Sequence, residues 1–339
     1  AYYVQKPPFR AEPFSHDAYL WASSYGLHHW GFVAWALYCL PTLAIAYPFY
    51  VRRVPQLKYS LSAQYWLRGR ETSLPARLMD TFFMVALIGG AGSSLGFSTP
   101  LIAALLNRLT GIPADFALEL MVVSICVLVF ASSVWLGLQE GIRRLSNFNI
   151  VLALIFLLAV LLASDTFFLL EMAVNSLGFL FQNSFAMSFW TDPIDSTGFV
   201  GDWTVFYWAW WIAYGPFVGL FVTRISRGRT IREVVVGMLL LGSLGVWLFF
   251  LVLGNHSLGL QLSGQLDVVE IMQSSGGNAA VVAGLNTLPM AGLIIGMFAV
   301  VAVIFVSTTY DSASYTLAAT ATQSLDVSED PPRWHRVFW

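Results

Sequence analysis

Apolar runs long enough to cross a lipid bilayer recur along this chain, separated by short polar or basic segments. A hydrocarbon core about 30 Å thick needs roughly 20 apolar helical residues. The pattern predicts spans at 27–50, 78–106, 115–138, 146–164, 203–224, 233–254 and 288–312. Two further stretches, 166–190 and 266–283, read as helices outside the bilayer or along its surface. In the first, Glu171, Asn175, Gln182 and Asn183 interrupt an otherwise apolar pattern, as in an interfacial helix. The chain is 57% hydrophobic and 11% charged, a balance outside that of soluble domains. The expected fold is an all-α polytopic membrane protein, residues 1–339 forming a single membrane domain without linker or low-complexity run.

The basic residues test this division, because cytoplasmic loops collect Lys and Arg. Loop 51–77 holds Arg52, Arg53, Lys58, Arg68, Arg70 and Arg77, and loop 139–145 holds Arg143 and Arg144. Arg224, Arg227, Arg229 and Arg232 lie in 224–232, and Arg333 and Arg336 in the tail. Fourteen of the seventeen thus fall on one side; Lys6, Arg10 and Arg108 fall on the other. This places the N-terminus outside and the C-terminus inside, and it fails if one span is added or removed. The net charge of −2 and the absence of a basic nucleic-acid-like patch give no reason to expect a nucleic-acid partner. Cys39 and Cys126 fall in spans and have no metal-ligand neighbours, so neither a structural disulfide nor a metal cluster is expected there.

The segment from Trp203 to Phe217 carries Trp203, Phe206, Tyr207, Trp208, Trp210, Trp211, Tyr214 and Phe217 with no acid or base until Arg224. Tyr207, Trp211 and Tyr214 share one helical stripe. Aromatic faces attract cations that have no N–H to donate, such as quaternary ammonium. The alternative is an interfacial belt of Trp and Tyr. A belt is shallow, whereas this run extends about 20 Å along a helix.

Other chemistry is sparse. His28 and His29 stand at the outer mouth of the first span, where adjacent ring directions suit interfacial hydrogen bonds better than a metal. Glu119 reads as an interfacial acid, and no hydrolase, phosphate-loop or metalloprotease motif occurs, which disfavours an enzyme. The run Gly89, Gly90, Gly92, Ser93, Ser94, Gly96 is expected to interrupt its helix, either for close helix packing or to free carbonyls toward a cavity. Gly215–Pro216 should break the aromatic helix likewise. In FVSTTYDSASYTLA, Thr308, Thr309, Ser312 and Ser314 offer oxygens to a hard cation, or bond back to the preceding helical turn.

These residues also carry a resemblance. WTVFYWAWWIAYGPFVGLFVTRISRGRTIRE closely resembles the signature of the betaine–choline–carnitine transporters, and HWGFVAWALY, SLG, RRLSNFNIVLA, QNSFAMSFWTDP and TTYDSASYTLA extend it over the chain. The resemblance implies a LeuT-like five-plus-five inverted repeat, of which this chain matches spans four to ten and is truncated at both ends. It implies a substrate box of Trp30, Trp35 and Tyr38 from one span, which lie within an arc of about 140° if they share a helix. The other half is Trp210, Trp211 and Tyr214, with Phe217 below. Tyr214 stands where many betaine carriers have Trp and carnitine-type members have Tyr. The implied sodium ligands are the Phe305 carbonyl, Thr308 and Thr309. Leu87 and Ala91 replace the threonines of a second sodium position.

The implied function is secondary active import of glycine betaine, choline or carnitine into the cell across the (inner) membrane. Na⁺ is the expected coupling ion, with no cofactor, lipid surroundings and a homotrimer. Sodium-independent exchangers of the family use an Arg and a Met at ion positions. No Arg lies between 145 and 223, and Val218 is not Met. A substrate:product antiporter and a betaine-binding membrane sensor remain alternatives. The glycine-rich stretch of the family's third span falls outside the matched region, so the chain alone is not expected to transport.

Overall fold

A computed structural model describes residues 2–54, 57–68, 70, 73–136, 139–322 and 330–339. The side chains of 133, 136 and 139–143 lie outside the described residues, Arg143 of the expected basic loop among them. Among the described residues the main helices are α1 His16–Trp30, α2 Phe32–Ala46, α3 Leu74–Thr110, α4 Phe116–Leu136, α5 Gln139–Ala163, α6 Thr166–Phe189, α7 Phe206–Ile225, α8 Ile231–Ser263 and α9 Ala291–Ala321. No strand occurs among the described residues. Among the described residues six helical stretches are long and apolar enough to cross a membrane, and Phe116–Ser132 within α4 is a shorter apolar helix.

Capping follows local chemistry. Ser15 Oγ accepts from the Ala18 amide at 3.2 Å, and Asp165 from Phe168 at 3.1 Å. Thr230 and Glu233 form a reciprocal capping box at the start of α8. Gly111, with φ of +76°, ends α3 in the left-handed region that glycine tolerates best.

Several boundaries differ from the sequence reading. The first membrane helix begins at His16, not 27. The polar run before Leu27 is helical because its hydroxyls find partners inside: Ser23 Oγ donates to Asn255 Oδ1 at 2.7 Å, and Ser24 Oγ to the Ser176 carbonyl at 3.2 Å. For the same reason α8 continues past 254, where buried His256 meets Ser164 Oγ at 3.0 Å and the Gly284 carbonyl at 3.1 Å. Stretch 266–283 divides into Val268–Ser275 and Gly277–Asn286 at Gly276, whose φ is +87°.

The expected helix breaks also move. α3 runs unbroken through Gly89–Gly96, with Ser93 Oγ bonded back to the Gly89 carbonyl at 2.8 Å. α7 is likewise continuous through Gly215–Pro216. There Gly215 serves packing, since a Cβ on it would lie 3.3 Å from Pro41 Cγ; one turn later a Cβ on Gly219 would meet the Pro41 carbonyl carbon and Thr42 nitrogen at 3.0 Å. The break falls instead at Gly31, between α1 and α2. A Cβ at Gly31 would lie 2.3 Å from Trp247 Nε1, so only glycine lets that indole pass.

α9 packs against α3, α4 and α5, around a core including Leu105, Phe156, Val160 and Ile295. Contacts sort the helix ends into two groups. At one end Tyr50 OH donates to the Thr223 carbonyl, Arg224 pairs with Asp330 at 2.7 Å, Arg336 with Asp311 at 2.8 Å, and Arg333 reaches the Trp135 carbonyl. At the other, Arg10 pairs with Asp195, Arg108 with Asn286, and Ser164 with His256. The first group is the arginine-rich end, so the helices alternate as the Lys and Arg distribution requires.

Candidate functional site

The break at Gly31 divides the expected box over three helices. Trp30 ends α1, while Trp35 and Tyr38 stand on α2, so these rings do not line one helical arc as the sequence reading assumed. Their meeting point is α7. Trp211 is buried, and its ring centroid lies 4.7 Å from Trp30 at 75° and 6.0 Å from Tyr38 at 79°. Tyr207 stacks on Trp211 at 5.7 Å and 11°, and meets Trp30 at 5.5 Å. Trp210 lies 6.1 Å from Trp211, and Trp35 lies 5.7 Å from Tyr38. Edge-to-face geometry satisfies ring quadrupoles and leaves several faces directed away from the contact.

Tyr214 and Phe217 extend the cluster along α7, their centroids 5.5 Å apart. Phe217 packs chiefly into a neighbouring apolar core with Ile45, Phe83 and Leu87. The Tyr214 hydroxyl lies 3.5 Å from Ser94 Oγ on α3. Two glycines set ring positions. A Cβ on Gly90 would fall 2.4 Å from Tyr214 Cε2, and one on Gly242 would fall 2.3 Å from Trp35 Cε2. Gly90 and Ser94 of α3 therefore contact the aromatic helix through an intact helix face, while Gly89, Gly92 and Gly96 meet nothing within 4 Å.

Behind the rings lies a polar support. Trp211 Nε1 donates to the His29 carbonyl at 3.0 Å. His29 is fully buried, its Nε2 3.0 Å from Thr204 Oγ1 and its Nδ1 3.5 Å from Tyr3 OH. His28 is buried too, so this pair sits within the protein and not at an open mouth. A neutral imidazole with one donor and one acceptor nitrogen suits hydroxyls on both sides. Burial pushes the Tyr3 phenol well above its ordinary value, with Tyr207, Tyr25 and Tyr2 adding to the shift, which keeps it a neutral donor. His29, Gly90, Gly242 and Tyr207 of the aromatic stripe stand beside these rings, outside the seven residues expected for the box.

The residues considered for an ion lie along α9. Thr309 Oγ1 donates to the Phe305 carbonyl at 2.8 Å, and Thr308 Oγ1 lies 2.9 Å from the Ile304 carbonyl and 3.1 Å from that of Phe305. Three hard oxygens thus gather on one helical turn, the donor type a small cation takes. In this arrangement each hydroxyl is bonded back to its own helix. Ser312 repeats the pattern onto the Thr308 carbonyl, whereas Ser314 Oγ instead reaches the Arg336 carbonyl. Thr308 also lines a cavity of about 420 Å³ with Leu220, Arg224, Asp311, Tyr315 and Arg336, at the arginine-rich end. Cys39 and Cys126 are buried free thiols. Glu119 lies partly exposed in the first turn of α4.

Comparison with known proteins fits this arrangement of helices and rings. The model of the BCCT, betaine/carnitine/choline family transporter, matches residues 1–339. The chain belongs to this family. It is 36% identical to the uncharacterized transporter YeaV of Escherichia coli (strain K12), covering all of this chain and 70% of that protein. It is 34% identical to the carnitine transporter of Acinetobacter baumannii, covering all of this chain and 62% of that protein. As a family member it is an integral protein of the (inner) membrane, from a family whose solutes are small quaternary-ammonium compounds.

Proposed function

We propose that the whole protein imports a quaternary-ammonium solute and that Trp30, Trp35, Tyr38, Trp210, Trp211, Tyr214 and Phe217 form its cage. The observation that carries this reading is the convergence of Trp30, Tyr38 and Tyr207 on Trp211, three helices bringing π faces to one buried indole. A trimethylammonium group has no hydrogen to donate, so attraction to aromatic faces is the recognition open to it. At 4.7 Å the Trp30 and Trp211 rings touch, so the solute enters as α1 and α7 part slightly. Rocking one bundle against another would supply that movement and alternate the access.

Na⁺ is the proposed co-substrate, held by the Phe305 carbonyl and the hydroxyls of Thr308 and Thr309. Binding requires both hydroxyls to present lone pairs, which they retain while donating to the helix. A second reading, sodium-independent exchange, draws support from the same bonds, since each hydroxyl is already satisfied without an ion. Tyr214 and the carnitine transporter relative favour a carnitine-like solute in either case. Uptake by the whole protein in liposomes decides between them: solute accumulation should require an inward Na⁺ gradient. Equal exchange with and without that gradient would replace symport by antiport, and failure to bind any trimethylammonium solute would remove the cage.

A further inference from the structure

Residues 57–68 lie between the first membrane helix and α3. Ser60 donates its amide and hydroxyl to Asp80 at 2.8 and 3.0 Å, Leu61 is buried, and the Tyr59 ring lies 5.7 Å from Phe83. These contacts fasten residues 59–61 to α3 and engage the Asp80 carboxylate internally. Beyond them Tyr65 and Trp66 project, 81% and 84% exposed, with Leu74 at 70%. Arg52, Arg53, Arg68, Arg70 and Arg77 are exposed around them. Among the described residues none of the five side chains forms an ion pair, and the Arg52 guanidinium lies over the Tyr47 ring. Helix ends on both sides of the segment belong to membrane spans, His16–Val51 and Leu74–Thr110, so the segment lies at the bilayer surface.

We infer that this segment is a binding surface for anionic phospholipid headgroups, with Tyr65 and Trp66 seated at the interface and the arginines on the phosphates. Trp and Tyr favour the depth where an apolar body and a polar edge are both satisfied. Arginine matches phosphate with a planar fork of donors. An anionic surface attracts each nearby basic residue by roughly fivefold in affinity. The same charges would be repelled by a second copy of this segment, which selects lipid over self-association as the occupant.

The test uses the whole protein in nanodiscs containing brominated phosphatidylglycerol or brominated phosphatidylcholine. The Trp66 emission is isolated as the difference between the native protein and Trp66→Phe. Phosphatidylglycerol should quench this component several-fold more strongly, and the preference should fall as salt shortens the Debye length to about 3 Å at 1 M. Replacing Arg53, Arg68, Arg70 and Arg77 together by Gln should abolish it, while Lys at all four should retain it. Equal quenching by the two lipids, a preference unmoved by salt, or protection of Trp66 from both lipids overturns the proposal, the last by placing a protein surface there. The salt titration needs no variant at the arginines and decides the matter even where the Gln protein does not fold.

Discussion

The Trp211 indole nitrogen donates to the main-chain carbonyl of His29 across 3.0 Å, joining α7 to the last turn of α1. Carbonyls at a helix end lack intrahelical donors, and a buried one needs another partner. Trp247 of α8 satisfies the Leu27 carbonyl in the same way at 2.9 Å. One frayed turn therefore orients two indoles, and Gly31 makes the close approach of the second possible. The ring planes at the candidate cage follow from backbone chemistry at that break.

Replacing Trp211 separates ring charge from apolar area. Trp211→Leu should weaken trimethylammonium binding by about 1–2 kcal/mol, the range for a desolvated cation–π contact. Trp211→Phe keeps a π face and should bind more tightly than Leu. Both lose the bond to His29, so both should lower thermal stability by about 1 kcal/mol. Calorimetric titration of the whole protein measures the first effect and a thermal melt the second. Equal binding by the Leu and Phe proteins would assign recognition to area and end the cage reading.

Neighbouring glycines on α3 should behave oppositely. A Cβ at Gly90 meets Tyr214 at 2.4 Å, whereas one at Gly89 meets nothing within 4 Å. Gly90→Ala should destabilise by about 1–3 kcal/mol through overpacking and displace Tyr214. Gly89→Ala should be neutral or stabilising by about 0.5–1 kcal/mol, because alanine loses less conformational entropy than glycine when the helix forms. Chemical or thermal unfolding of the two proteins in one detergent gives the comparison. Similar losses at both positions would mean that Gly90 does not face Tyr214 in the folded protein.

Long apolar runs and the arginine bias exposed most of the membrane architecture, because bilayer thickness and headgroup charge act directly on composition. The aromatic helix was legible for the same reason: Trp203 to Phe217 has few other uses for so many π faces. The break at Gly31 was hidden, since one glycine among aromatic residues looks ordinary until Trp247 packs across it. Polarity misled at Ser23 and Ser24, where partners come from residues more than 150 positions away. Gly215–Pro216 misled in the other direction, because Pro41 needs the room that Gly215 leaves and the helix absorbs the proline. Local pattern cannot report a partner that only tertiary packing supplies.

The pair Asp311–Arg336 should be strongly coupled. Its atoms lie 2.8 Å apart, and the side chains are only 16% and 9% exposed. Removing one partner leaves a poorly solvated charge and should cost about 3 kcal/mol or more. Asp311→Ala and Arg336→Met should each destabilise, and the double variant should cost clearly less than their sum. A double-mutant cycle on thermal unfolding measures this coupling. Additive effects would show that solvent in the adjacent cavity already compensates each charge.

Thr309 distinguishes an ion ligand from a helix hydroxyl. Its Oγ1 donates to the Phe305 carbonyl at 2.8 Å and keeps lone pairs for a cation. A hard cation in a protein cavity needs several oxygens, so losing one should weaken it substantially. In the whole protein, Thr309→Ala should raise the Na⁺ concentration for half-maximal uptake while leaving solute affinity at saturating Na⁺ nearly unchanged. Thr309→Ser keeps the oxygen and should stay close to native. A hydroxyl that merely back-bonds predicts another result, because removing it leaves the helix unharmed or slightly straighter. Uptake measured against Na⁺ concentration in liposomes tells these apart. An unaltered Na⁺ dependence in the combined Thr308→Ala and Thr309→Ala protein would take sodium away from α9 and leave exchange as the better account.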